Sequence, residues 1–297
     1  MKLFAPEYYS TFKCIADRCR HSCCVGWEID VDGDAMERYE ALSAGYGKEI
    51  LKSITVDDVP HFILSQNDRC PHLDDRGLCR IITELGEGYL CHICREHPRF
   101  YNVTPYGMEV GLGLSCEEAA RIILSSDGYA NIVEIGDTDG EGGFCGFDPT
   151  PFRKRIYEII SDRSMPYEER LRAVSEEFGV SVTSMPDEEW RQLLGGLEYL
   201  DEGHRKLFSS FSSDVKYPSE LDICLERALA YFVYRHCAEV WDEDELRASL
   251  GFCLFCERLV AATVSLCGSV YEAARIVSEE IEYSEDNTES IKKEFAL

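Results

Sequence analysis

A chain of 297 residues, 45% apolar, 11% aromatic and 29% charged, has the composition of an ordinary globular protein with room for one large or two modest domains. Its 30 basic residues against 56 acidic ones give a net charge of −26, which disfavours nucleic acid and anionic membrane surfaces as partners and favours a cationic one, such as a lysine-bearing protein. The opening residues Met1 to Glu7 lack a signal-peptide core, and no run of about 18 apolar residues occurs, so the expected location is the cytoplasm. Thiols stay reduced there, and an odd count of 15 cysteines then points to metal binding or catalysis rather than disulfides.

In chain order, residues 27–31 alternate like a short strand and 34–54 have the spacing of an amphipathic helix. Residues 100–103 and 108–114 flank Thr104-Pro105-Tyr106-Gly107 as a hairpin that would return Cys116 toward the other thiols. A short helix is expected over 117–124, a strand over 131–135, and an acidic, glycine-rich loop over 136–143. Beyond it the helix starts are well marked. Thr150-Pro151 puts a cap residue before proline at the first helical position, and Pro166 before Glu168-Glu169 and Pro186 before Asp187-Glu188-Glu189 set proline and negative charge at a helix N-terminus. The longest helical segments are 221–240 and 246–266, and the acidic tail after Glu279 is expected to fray. The fold class is α+β, predominantly α: a cysteine-rich metal-binding domain with a few short strands over 1–128, a linker over 129–149, and an all-helical domain over 150–297.

Nine cysteines lie in the first 116 residues. They fall in four groups: Cys14-x4-Cys19-x3-Cys23-Cys24; Cys70 in Cys70-Pro71-His72-Leu73, with Cys79 after Gly77-Leu78; Cys91-x2-Cys94; and Cys116 alone. Ligands a few residues apart chelate with little loop-closure entropy, so metal binding is the default reading. Cys91-x2-Cys94 suits tetrahedral zinc, whereas eight or nine cysteines suit one or two iron–sulfur clusters. Adjacent Cys23 and Cys24 project in different directions and so favour two neighbouring sites. His21, His72, His92 and His97 lie among these thiols as substitute ligands or as donors behind the ligands.

The order of these residues carries a resemblance. Phe12-x-Cys14, Cys19-x3-Cys23-Cys24-x-Gly26-Trp27, Cys70-Pro71-x-Leu73, Gly77-Leu78-Cys79, Leu85-Gly86, Cys94-x3-Pro98-Arg99 and Ser115-Cys116-x-Glu118-Ala119-Ala120-Arg121 resemble the flagellin lysine-N-methylase family and its wider cysteine-cluster relatives, described as zinc- or iron-chelating. The likeness spans about residues 8 to 121. It implies an enzyme with one or two [4Fe-4S] clusters, zinc being the alternative, that moves a methyl group from S-adenosylmethionine to lysines of flagellin or another lysine-bearing protein. Carried over residue by residue, it implies Cys14, Cys19, Cys23, Cys24, Cys70, Cys79, Cys94 and Cys116 as ligands and gives Cys91 no role. Arg95 and Arg99, beside Cys94, would bind the donor's carboxylate or offset cluster charge. No residue is singled out as the catalytic base. The rival reading is a non-catalytic zinc or iron–sulfur module that binds a partner protein.

Other motifs fail or read as structure. A radical Cys-x3-Cys-x2-Cys loop is absent, because Gly26 and Glu87 occupy the required positions. The glycines at 136, 140, 142 and 143 have the wrong spacing for a nucleotide-binding turn, and the strands of a doubly wound sheet do not follow. Cys253, Cys256 and Cys267 share a helix face with Leu259, Val260 and Leu266 and read as core, as does His236-Cys237; Cys145 and Cys224 have no assigned role.

Overall fold

A computed structural model describes residues 1–42, 44–139 and 146–296; Cys145 and the glycines at 140, 142 and 143 lie outside the described residues. The protein is α+β and mostly helical, and it divides into two compact units, Lys13–Pro98 and Met1–Phe12 with Arg99–Leu297. This division differs from the composition boundaries at 128 and 150. The reason lies in the sheet: β1 (Lys2–Pro6) is an N-terminal strand that pairs far along the chain and so belongs with the helices, not with the cysteines.

The smaller unit is built from short pieces. In α1 (Gly33–Glu40), the Asp32 carboxylate caps the N-terminus by accepting from the Ala35 amide at 3.0 Å. A second helix, α2 (Tyr46–Lys52), follows, so the segment 34–54 is two helices rather than the expected one. Gly45 separates them with φ 64°, a conformation glycine takes without penalty. β2 (Ile54–Val56) and β3 (Pro60–Phe62) form a small antiparallel hairpin. Residues 27–31 run beside β3, with Phe62 N–H donating to Ile29 O (3.0 Å) and Val31 N–H to Pro60 O (2.7 Å), a ladder too short to make the expected strand. α3 (Arg80–Leu85) and α4 (His92–Glu96) complete the unit. Its core is modest: Ile29, Val31, Ala35, Tyr39, Ile50, Phe62, Ile81 and Leu90, with Cys70 and Cys91.

In the larger unit, β4 (Arg99–Thr104) and β5 (Gly107–Leu112) make the expected hairpin. After α5 (Glu117–Ser125), β6 (Ile132–Asp137) closes a sheet of order β4-β5-β1-β6 in which β1 runs parallel to β5 and antiparallel to β6. The region read as a linker therefore contains a paired strand.

The helices then follow in order: α6 (Thr150–Ile160), α7 (Tyr167–Phe178), α8 (Asp187–Gly196), α9 (Glu202–Phe208), α10 (Asp222–His236), α11 (Glu243–Cys267), α12 (Val270–Val277) and α13 (Glu285–Lys293). α6, α7 and α8 begin at the prolines that marked them. By length and composition α11 could cross a membrane, yet its side chains are packed inside this unit, where Trp190 stacks on Phe255 with ring centroids 4.3 Å apart. The tail does not fray. A π-helical turn, Ser278–Glu282, and α13 bury Ile281, Ile291 and Phe295, and the Asn287 amide bonds to the carbonyls of Glu198 and Glu280, both at 2.8 Å.

Candidate metal centre

Short crossing segments bring the smaller unit's thiols together. The Cys70 amide donates to the Cys24 carbonyl (2.8 Å), and Val25 bridges to Arg69 beside it, so the first and second cysteine stretches lie side by side. Cys79 bridges to Leu73 and precedes α3; Cys91 precedes α4, and Cys94 lies three residues on, over the same face. Asp32, already capping α1, also accepts from the His92 amide at 2.6 Å, so one carboxylate ties the starts of α1 and α4.

Cys24, Cys70, Cys79, Cys91 and Cys94 surround one core and feel one another's charge. Burial pushes the Cys70 thiol up to about 12, and negative charge at Cys24, Cys79 and Cys91 adds to this. Cys79 is raised by burial and by Cys24 and Cys91, against the amides of Ile82 and Ile81. Cys94 is raised by its hydrogen bond to Cys91, then by burial and by the sulfurs of Cys91, Cys24 and Cys70. Two thiols move the other way. A hydrogen bond from Cys23 lowers Cys24 to about 7, with help from Ser22 and Arg69 and against burial. Cys91 is lowered by the Cys94 thiol and by the Tyr39 hydroxyl, 3.5 Å from its sulfur, again against burial.

Thiolates crowded into a dry core repel each other, and a bound cation removes that repulsion. The thiolate is also the form that ligates metal. This donor set fits a thiolate-held metal group, and five sulfurs exceed the four that zinc or one [4Fe-4S] cluster takes. Cys91, without a role in the resemblance, is wholly buried among them.

The remaining expected ligands are placed differently. Cys14 and Cys23 are exposed and Cys19 half-buried, all in the smaller unit, with the Cys19 thiol donating to the His21 carbonyl at 3.1 Å. Cys116 belongs to the larger unit, at the start of α5 and half-buried against that unit's core. Among the histidines, His72 is a core residue. Burial lowers it to about 4, and both ring nitrogens are occupied, Nδ1 by the Tyr46 hydroxyl (2.8 Å) and Nε2 by the Ser53 hydroxyl (2.9 Å).

Arg95 is about half-exposed beside Glu96 (3.5 Å) and His92 (3.3 Å) in the smaller unit. Arg99 opens β4 in the larger unit and donates to the Tyr9 hydroxyl at 2.9 Å. Cys237, Cys253 and Cys256 are buried between α10 and α11, where burial holds the Cys253 and Cys256 thiols far above their ordinary range. The smaller unit also has an open concavity of about 390 Å³ lined by Glu28, Asp30, Asp57, Asp58, Val59 and His61, which the sequence reading did not single out.

Comparison with known proteins points to one group. Over 133 aligned residues, 40% of this chain, the sequence is 28% identical to the proteins named lysine-N-methylase of Salmonella typhimurium and Salmonella choleraesuis. The chain is a distant relative of these proteins. It is also 27% identical, over 75% of that protein's length, to the flagellar biosynthetic protein FliU of Salmonella muenchen. The match spans about a third (32%) of the length of the lysine-N-methylases. No family model matches the sequence, and no solved structure matches it.

Proposed function

We propose that this chain is an iron–sulfur protein lysine N-methyltransferase of the cytoplasm, using S-adenosylmethionine, with flagellin as its substrate. The observation that carries the reading is the convergence of Cys24, Cys70, Cys79, Cys91 and Cys94 in a chain distantly related to lysine-N-methylases. Those five residues would hold the cluster; Cys14, Cys19, Cys23 and Cys116 belong to the ligand set that the resemblance implies. When bound, the cluster and the donor supply a Lewis-acidic or redox-active metal and an electrophilic sulfonium methyl.

The chain's own residues have three tasks. Arg95 in the smaller unit, or Arg99 in the larger, binds the donor's carboxylate or balances cluster charge. The carboxylates of Glu28, Asp30, Asp57 and Asp58 attract a lysine ammonium to the concavity they line. Because anionic neighbours also raise an ammonium's pKa, that surface serves capture rather than deprotonation. A separate carboxylate or tyrosinate takes the proton; the amine nitrogen then forms its bond to the methyl carbon as the carbon–sulfur bond breaks, leaving S-adenosylhomocysteine.

The zinc-like spacing of Cys91 and Cys94 supports a second reading, a non-catalytic zinc module that binds a protein partner. One preparation separates the two. Anaerobically purified protein should be brown, with broad absorbance near about 400 nm, and should incorporate labelled methyl groups from S-adenosylmethionine into flagellin lysines. Colourless protein with stoichiometric zinc and no methyl transfer would establish the second reading instead.

A further inference from the structure

Away from the thiols, the larger unit brings together an imidazole and carboxylates that the proposed methyl transfer does not use. His204 lies on α9; Glu279 and Glu280 lie on the π-helical turn that follows α12. The His204 Nδ1 atom is 2.6 Å from Glu280 Oε1 and 3.9 Å from Glu279 Oε2. These separations bracket the roughly 3.4 Å between two ligands each about 2.1 Å from a tetrahedral ion.

The surroundings hold each donor in place. Glu280 is buried and its two oxygens accept from the amides of Leu200 (2.7 Å) and Asp201 (3.1 Å). Glu279 accepts from Arg275 at 2.7 Å. The far ring nitrogen of His204, Nε2, lies 4.0 Å from the Asp201 carboxylate, beyond direct hydrogen-bond reach. His204 and Glu279 keep 15% and 18% of their side-chain surface, so an ion and a water molecule have access.

We infer that His204, Glu279 and Glu280 form a binding site for one divalent first-row metal ion, separate from the thiol centre. One imidazole and two carboxylates suit zinc, manganese or iron(II) and leave a coordination position for water. On binding, the metal takes the place of the proton between His204 Nδ1 and Glu280, and that proton leaves to solvent. The competing account is a purely structural ion pair, in which Glu280 caps the chain at Leu200-Asp201 and His204 stays protonated.

Manganese(II) distinguishes them, because thiolates bind this hard cation poorly. Full-length protein with its thiol centre loaded is titrated with Mn²⁺, and the free ion is read from its paramagnetic resonance signal. The expected result is one Mn²⁺ per chain, displaced by one equivalent of Zn²⁺. Affinity should fall at least about tenfold in both His204→Gln and Glu279→Gln, and should not change in Glu202→Gln, a charge-matched change on the same helix. Circular dichroism checks that each variant is folded; the partly exposed Glu279 makes its variant the safer of the two. Failure of the wild type to bind Mn²⁺, or equal affinity loss or none across the three variants, would overturn the site. The result does not depend on the methylase reading.

Discussion

Cys91 and the buried cysteines of the larger unit look alike by exposure, but the charge of Cys91 reaches Cys70 and Cys79 from other segments as well as Cys94, whereas Cys237 and Cys253 face one another as a pair 3.9 Å apart. Cys91→Ser should therefore lose bound metal as completely as Cys24→Ser, whereas Cys256→Ser should keep its full metal content, as elemental analysis of the purified variants would reveal. The Cys91-x2-Cys94 spacing was legible in the sequence; the burial of Cys91 against the Tyr39 hydroxyl was not, because Tyr39 lies 52 residues away. Glu109 and Arg153 were not legible as a pair. They lie 44 residues apart, on β5 and α6, and meet through two hydrogen bonds of 2.7 Å with both side chains almost without solvent contact. Removing one partner strands a buried charge, so Glu109→Gln should cost about 3–5 kcal/mol in chemical unfolding, far more than Glu202→Gln on the surface.

The starts of α6, α7 and α8 could be read from proline, joined in α7 and α8 by acidic residues, because an N-terminus is a local chemical problem with a local solution. Elements whose reason lies elsewhere in the chain were hidden. β1 pairs with residues more than a hundred positions away. α13 carries so much charge that only its packed positions, Ile291 and the following Phe295, give it away. Phe295 lies against Gly251 of α11, where an added Cβ would sit 2.1 Å from the ring. Gly251→Ala should thus destabilise by about 1–3 kcal/mol through overpacking, despite alanine's better helix propensity, and a second variant, Phe295→Ala, should relieve part of that cost. At the start of α8 the effect is electrostatic. Burial alone would raise the Asp187 carboxyl, but hydrogen bonds from the Ser213 amide (3.0 Å) and the Ser212 hydroxyl (2.7 Å) hold it below its ordinary value. A depressed folded-state pKa adds stability above the ordinary carboxylate range, and that increment disappears as pH falls through the folded value. Denaturation midpoints measured from pH 7 down to pH 3 should consequently fall less steeply in Asp187→Asn than in the wild type.

The two units differ in what holds them together. The larger has a continuous core running from the sheet through α11 to α13, with Trp190, Phe211, Phe252 and Phe255 fully buried. The smaller has ten buried apolar residues, two of them cysteines, and helices of eight residues or fewer joined by turns. Few buried side chains and many short elements leave little burial to offset chain entropy, the circumstance in which small folds rely on metal or disulfides. The described cysteines are not joined in disulfides, and a metal held by the smaller unit's thiolates would supply the missing cross-links. Where ligand binding is also folding free energy, removing the metal should unfold the segment that supplies the ligands and leave an independently packed unit intact. Hydrogen exchange before and after treatment with a strong chelator under reducing conditions tests this directly. Amide protection over 13–98 should collapse toward that of an unfolded chain, while protection over α10, α11 and α12 changes little. Retained protection in 13–98 after complete metal loss would mean that its apolar core suffices, and that the crowded thiols do not hold the unit together through a metal.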